Sequence, residues 1–113
     1  MRAYELMIIV DGDADDAMVD SVSSRVEAGV TDAGGRIAST DKWGKRRFAY
    51  EINHKHEGHY VLHEVVVDSG DLSAVERMLR LADEVVRHKL IRLPDAEAER
   101  RGLFGGAEAA ASA

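Results

Sequence analysis

The chain has 113 residues, 45% of them apolar, enough for one domain with a real core. It has no cysteine, which excludes a disulfide framework, a thiol nucleophile and a zinc–thiolate site. A formal charge of −6 excludes a uniformly basic surface of the kind most nucleic-acid binders carry.

The charge is unevenly spread. Asp11, Asp13, Asp15, Asp16 and Asp20 crowd one stretch, whereas cations gather at positions 42–47 and 87–92. Screening acts over about 8 Å at physiological salt, so a phosphate on a cationic patch is largely indifferent to distant acids. The absence of cysteine and a strand-like pattern from the first residues fit a cytosolic protein without a signal peptide. The longest aliphatic run, Leu6 to Val10, is too short to span a bilayer.

In chain order, Tyr4, Leu6, Ile8 and Val10 alternate with Ala3, Glu5, Met7 and Ile9. The pattern predicts a strand over 3–10 with apolar residues on both faces. Asp11-Gly12-Asp13 ends it. Val19, Val22, Val26 and Val30 then recur at three- and four-residue intervals, which predicts a helix over 15–33 with a core-facing stripe. Gly34-Gly35 supplies its left-handed cap.

A long strand follows over 36–52. Ile37, Ser39, Asp41 and Trp43 share odd parity, whereas Phe48, Tyr50 and Ile52 take even parity. One extra residue switches the face of a strand, and Gly44 stands at the change, so a bulge is expected there. Residues 53–58 are polar, with Asn and Gly, and read as a hairpin loop. A β-branched strand over 59–67 comes next. Asp71 is the expected N-cap of a short helix whose stripe is Leu72, Val75, Leu79 and Ala82. Val86, His88 and Leu90 alternate against Arg87, Lys89 and Ile91 in a fourth strand. Pro94 ends the expected domain (1–93). The Ala-, Glu- and Gly-rich stretch 94–113 reads as a flexible tail, in which a helix over 96–101 would have little to pack on.

The order β-α-β-β-α-β is the split β-α-β, or ferredoxin-like, α+β arrangement. It predicts a four-stranded antiparallel sheet with two helices on one face. Alternation puts Met7, Ile9, Tyr60, Leu62 and Ile91 on the other face. An exposed apolar patch of that kind marks an interface.

Several segments carry a stronger signal. These are the opening Met-Arg-Ala-Tyr-Glu; Gly44-Lys45-Arg46-Arg47-Phe48-Ala49-Tyr50-Glu51-Ile52-Asn53; Gly58-His59-Tyr60-Val61-Leu62; and Asp83-Glu84-Val85-Val86-Arg87. Together, in register from residue 1 to about 92, they resemble the bacterial small-subunit ribosomal protein S-six family. The resemblance implies a non-enzymatic role. Such proteins pair with ribosomal protein S-eighteen and bind the central domain of small-subunit ribosomal RNA. By position it implies that Arg2, Arg46, Arg47 and Arg87 face RNA or the partner, and that Tyr50 shapes the strand beneath them. With the neighbouring cations, the expected RNA-binding set is Arg2, Lys42, Lys45, Arg46, Arg47, Arg87, Lys89 and Arg92. The expected partner surface is Met7, Ile9, Tyr50, Tyr60, Leu62 and Ile91. Lys45 and Lys89 depart from the mostly apolar residues of relatives.

Other chemistries fit less well. A charge run is ordinarily a solvated face, and only the resemblance turns 42–47 toward RNA. The stretch 59–65 lacks the aromatic–Gly–aromatic pattern of base-stacking sheets, so Tyr60 is assigned to the protein interface and Trp43 to packing. His59 and His63 stand roughly 13 Å apart along a strand, too far to share an ion. Asp11-Gly12-Asp13-Ala14-Asp15 starts like a calcium loop, but Asp16 and Val22 occupy the positions that need Gly and Glu. No cofactor, membrane or small-molecule substrate is implied. Two other functions share the topology. One is a homodimeric small-molecule sensor paired through its open sheet. The other is an acylphosphatase, whose phosphate-cradling loop would here be acidic and repel its substrate.

Overall fold

The computed structural model describes residues 1–105. The elements run β1 (Arg2–Asp11), α1 (Asp16–Asp32), β2 (Gly35–Ile52), β3 (Lys55–Val67), α2 (Ser73–Leu81), β4 (Val85–Arg92) and α3 (Asp95–Arg100), followed by a 3-10 turn, Leu103–Gly105. The strands form one sheet in the order β2-β3-β1-β4, with every neighbouring pair antiparallel. This is the ferredoxin-like arrangement expected from the element order.

The valine stripe of α1 is buried throughout, and with Val75 and Leu79 of α2 it packs on Leu6, Ile8, Val61 and Val65 of the sheet. Each such side chain stabilises the fold by about 1.5–3 kcal/mol on full burial. Asp15 caps α1, its carboxylate accepting from the Met18 amide at 2.8 Å. Gly34, at φ 80°, turns the chain out of the helix where other residues would be strained. At α2 the cap position is Leu72 rather than Asp71. Asp71 still serves the turn, since its Oδ1 accepts from both the amide and the hydroxyl of Ser73.

The bulge expected at Gly44 is present. Lys42 pairs with Val61 and Gly44 with Tyr60, so Trp43 is the inserted residue, and Gly44 takes φ 85°. A second bulge was not anticipated. Ile37 pairs with Val65 and Ser39 with Glu64, leaving Ala38 over. Ile37 therefore packs toward the main core, whereas Ser39 bonds Glu64 on the opposite face.

Two further expectations need correction. The loop over 53–58 is only a two-residue turn, Asn53-His54, both with positive φ, and β3 begins at Lys55. Such primed turns match the twist of the flanking strands. The stretch after Pro94 also finds something to pack on. Ala98 and Leu103 are buried with Leu93, Ala3 and Val66 in a second small core on the sheet face away from α1 and α2. Ala98 is the one buried residue of α3, and its small side chain lets the helix lie close to that face. Residues 106–113 of the expected tail lie outside the described residues.

Candidate nucleic-acid and partner interface

The strand register sets out the open face as rows. Arg87, Ile9, Tyr60 and Gly44 stand side by side across all four strands, followed by Lys89, Met7, Leu62 and Asp41, then Ile91, Glu5, Glu64 and Ser39. The expected partner residues Met7, Ile9, Tyr60, Leu62 and Ile91 thus form one surface in the middle of the sheet.

Both ends of that surface are walled. At one end the β2–β3 hairpin curls over the sheet. The Asn53 side-chain amide donates to the Val86 carbonyl on β4 at 3.1 Å. Phe48 comes down against Gly58, where an added Cβ would lie 2.5 Å from Ile9 Cγ2 and 3.0 Å from Phe48 Cζ. Phe48 keeps 9% of its exposure and meets Tyr60 edge-on at 6.2 Å. Lys55 pairs with Asp11 at 2.9 Å. The Asp13 amide, together with that lysine, holds the Asp11 carboxyl below its ordinary pKa.

At the other end Glu5 and Glu64 face each other across β1 and β3, a like-charge pair that is unfavourable alone. Arg101 resolves it, donating from Nη1 to Glu5 at 2.9 Å and to Glu64 at 3.0 Å, while its Nε donates to Glu97 at 3.0 Å. Arg36 donates to the Leu103 carbonyl beside it. Residues 95–105 are thereby clasped to the sheet.

Between the walls lies a concavity of about 450 Å³. It is lined by Met7, Ile9, Phe48, Tyr50, Ile52, Tyr60, Leu62 and Ile91, with Arg87 and Lys89 on its β4 side. Tyr50, 69% exposed, and Ile91 present apolar area to solvent there. Apolar lining with a few charges suits a partner's side chains. Phe48 and Ile52 were not among the expected interface residues, although their shared parity with Tyr50 was a usable signal.

The expected RNA-binding cations divide into groups. Lys42 is engaged by Asp20 of α1, and Lys45 by Glu57 at 3.3 Å. Arg46 lies over the Trp43 ring, 5.3 Å from its centroid. Arg47 is exposed beside the hairpin turn. Neither arginine makes an ion pair among the described residues. Across the sheet, Arg87 and Lys89 are likewise exposed on β4, whereas Arg92 stands 3.9 Å from Asp95. Arg2 donates to the Gly70 carbonyl. Arg46 and Arg47 thus both lie on the β2 edge but point to opposite faces, Arg46 beside Trp43 and Arg47 beside Asp11, Asp13 and Glu57, while Arg87 and Lys89 stand on the opposite edge, beside the concavity. Among the described residues no group of His, Cys, Asp and Glu is placed to hold a metal ion, and no helix is long and apolar enough to cross a membrane.

Comparison with known proteins gives one family for the sequence and for the fold. A family model described as Ribosomal protein S6 matches residues 3–92. Small ribosomal subunit protein bS6 of Carboxydothermus hydrogenoformans is 38% identical over 92 residues, covering 81% of this chain and 96% of the relative. The bS6 protein of an Exiguobacterium species is 40% identical over 87 residues, covering 77% and 92%. Among solved structures, 30S ribosomal protein S6 from Thermotoga maritima superposes with a TM-score of 0.80 at 28% identity, covering 91% of this chain and 97% of that one.

Proposed function

The chain belongs to the ribosomal protein S6 family, a structural, RNA-binding and non-enzymatic component of the small ribosomal subunit, and from that premise we propose how its surfaces are used. The β2 edge contacts the central domain of small-subunit ribosomal RNA, and the open-face concavity receives ribosomal protein S-eighteen. The chain works in the cytoplasm, bound to the ribosome.

The observation that carries this reading is the division of one sheet into two chemistries. Arg46 and Arg47 stand exposed and make no ion pair among the described residues, so both guanidinium groups are available to fork onto phosphate oxygens. Further along the same strand and across the sheet the surface is apolar and concave. Guanidinium–phosphate contacts release counterions and fix position more than they read bases. A rigid sheet edge suits RNA, whose junctions are recognised largely by shape. Arg87 and Lys89, on the concavity's rim, serve the seam where RNA and partner meet. Arg2, Lys42, Lys45 and Arg92 contribute by exchanging an intramolecular acceptor for phosphate. For Lys42, Lys45 and Arg92 that exchange costs little, since exposed ion pairs are worth about 0–1 kcal/mol, whereas Arg2 would give up its bond to the Gly70 carbonyl.

The test is a salt titration of binding to a central-domain RNA fragment, with and without S-eighteen. Binding is expected to be strong only with the partner present and to weaken linearly in logarithmic salt. The Arg46→Ala/Arg47→Ala variant should bind more weakly with a slope shallower by about one to two. An unchanged affinity and slope would remove these two residues from the interface.

A further inference from the structure

Trp43 does not fit the packing role that its sequence context suggests. It is the inserted residue of the Gly44 bulge, with no partner of its own on β3. The bulge turns its ring onto the open face beside Tyr60, parallel to within 4°, with centroids 6.1 Å apart. Parallel rings at that distance are widely offset, so Tyr60 covers only part of the indole. Trp43 stays 40% exposed, whereas Phe48 in the same aromatic group is buried.

An exposed tryptophan without neighbours would have no fixed orientation. This one does. Its Nε1–H donates to Asp41 Oδ2 at 3.1 Å, and the Arg46 guanidinium lies over the ring at 5.3 Å. The side chain is thus held in place before any ligand arrives, which lowers the ordering cost of binding. Lys42 and Arg46 line the shallow cleft around it.

We propose that Trp43 is a stacking platform for one unpaired base of the bound RNA, with Arg46 supplying charge to the adjoining phosphate. The proposal rests on the RNA-binding reading above and adds a base contact to it. Stacking on a fixed aromatic is tolerant of base identity, because every base has a π-face. Arg46, long and exposed, can slide from the indole to the phosphate while remaining beside both. The apolar concavity lies on the other side of Tyr60, so a base on Trp43 and a protein partner on the sheet do not compete for one surface.

The test uses the full chain, S-eighteen and the central-domain RNA fragment. Binding is followed by anisotropy of labelled RNA at several salt concentrations for the wild type, Trp43→Phe and Trp43→Leu. Affinity should fall in the order Trp, Phe, Leu, by about tenfold in all, with the salt slope unchanged because no cation is lost. Trp43 is the only tryptophan of the chain, so the emission difference between wild-type and Trp43→Phe complexes isolates it, and RNA should quench it. RNA that binds equally to Trp43→Leu without quenching the wild type overturns the stacking site and leaves the RNA-binding reading intact. A loss matched by an equal loss of S-eighteen binding assigns Trp43 to structure and also overturns it. Absence of RNA binding by the wild type removes both readings together.

Discussion

The side-chain amide of Asn53, at the tip of the β2–β3 hairpin, donates to the main-chain carbonyl of Val86 on β4, 3.1 Å away. In the sheet order β2-β3-β1-β4, β3 and β1 lie between these strands, so the bond exists only because the hairpin curls over the sheet. It closes one wall of the concavity. Asn53 is also suited to its own backbone, at φ 49°, where asparagine is tolerated better than most residues.

Replacing Asn53 by glycine keeps the turn conformation and removes the bond. A stability loss of about 1 kcal/mol is expected. The sharper readout is amide hydrogen exchange, which should rise across 48–57 and stay unchanged in β1 and α1. Equal protection in the variant would mean that Phe48 alone holds the hairpin down.

The C-terminal clasp makes a second prediction. Leu103 is buried against Ala3, Val66, Leu93 and Ala98. Leu103→Ala should lower the unfolding free energy by about 2 kcal/mol, the low end for a leucine truncation, because the cluster is small. Urea denaturation measures it. A variant as stable as the wild type would mean that residues 95–105 contribute nothing to the fold.

Much of this architecture is legible in the sequence, and the exceptions have physical reasons. The short apolar run of β1, the valine stripe of α1 and the parity change at Gly44 are local signals, and each element follows from them. The Ala38 bulge has no such mark. Ile37 and Ser39 keep the same parity, and only pairing with Val65 and Glu64 shows that they face opposite ways. The clasp is harder still. Leu93, Ala98 and Leu103 follow no helical or strand period, and their burial depends on Ala3 and Val66, distant in the chain. Trp43 and Phe48 stand five residues apart with similar composition around them, yet the bulge leaves one half exposed and the hairpin buries the other.

Acid should unfold this protein earlier than its carboxylates alone would predict. His63 is fully buried on β3, with Nδ1 2.9 Å from Thr40 Oγ1 and Nε2 without a partner among the described residues. Burial disfavours the imidazolium and lowers its pKa to about 4. In the unfolded chain the ring protonates near its ordinary 6.5, so between those values the unfolded state holds the extra proton. Stability is therefore complete above about pH 6.5 and falls by about 1.4 kcal/mol per pH unit down to about pH 4. His63→Leu removes this dependence. The difference between wild-type and variant stabilities, measured by urea denaturation across that range, should grow with pH in favour of the wild type. Parallel curves would show that His63 titrates alike in both states.

The division of the sheet between RNA and protein is tested most directly by photo-crosslinking in reconstituted small subunits. A photoreactive side chain placed at Arg47 should yield adducts with ribosomal RNA, and one at Tyr50 should yield adducts with S-eighteen. Protein adducts from position 47 together with RNA adducts from position 50 would contradict the account.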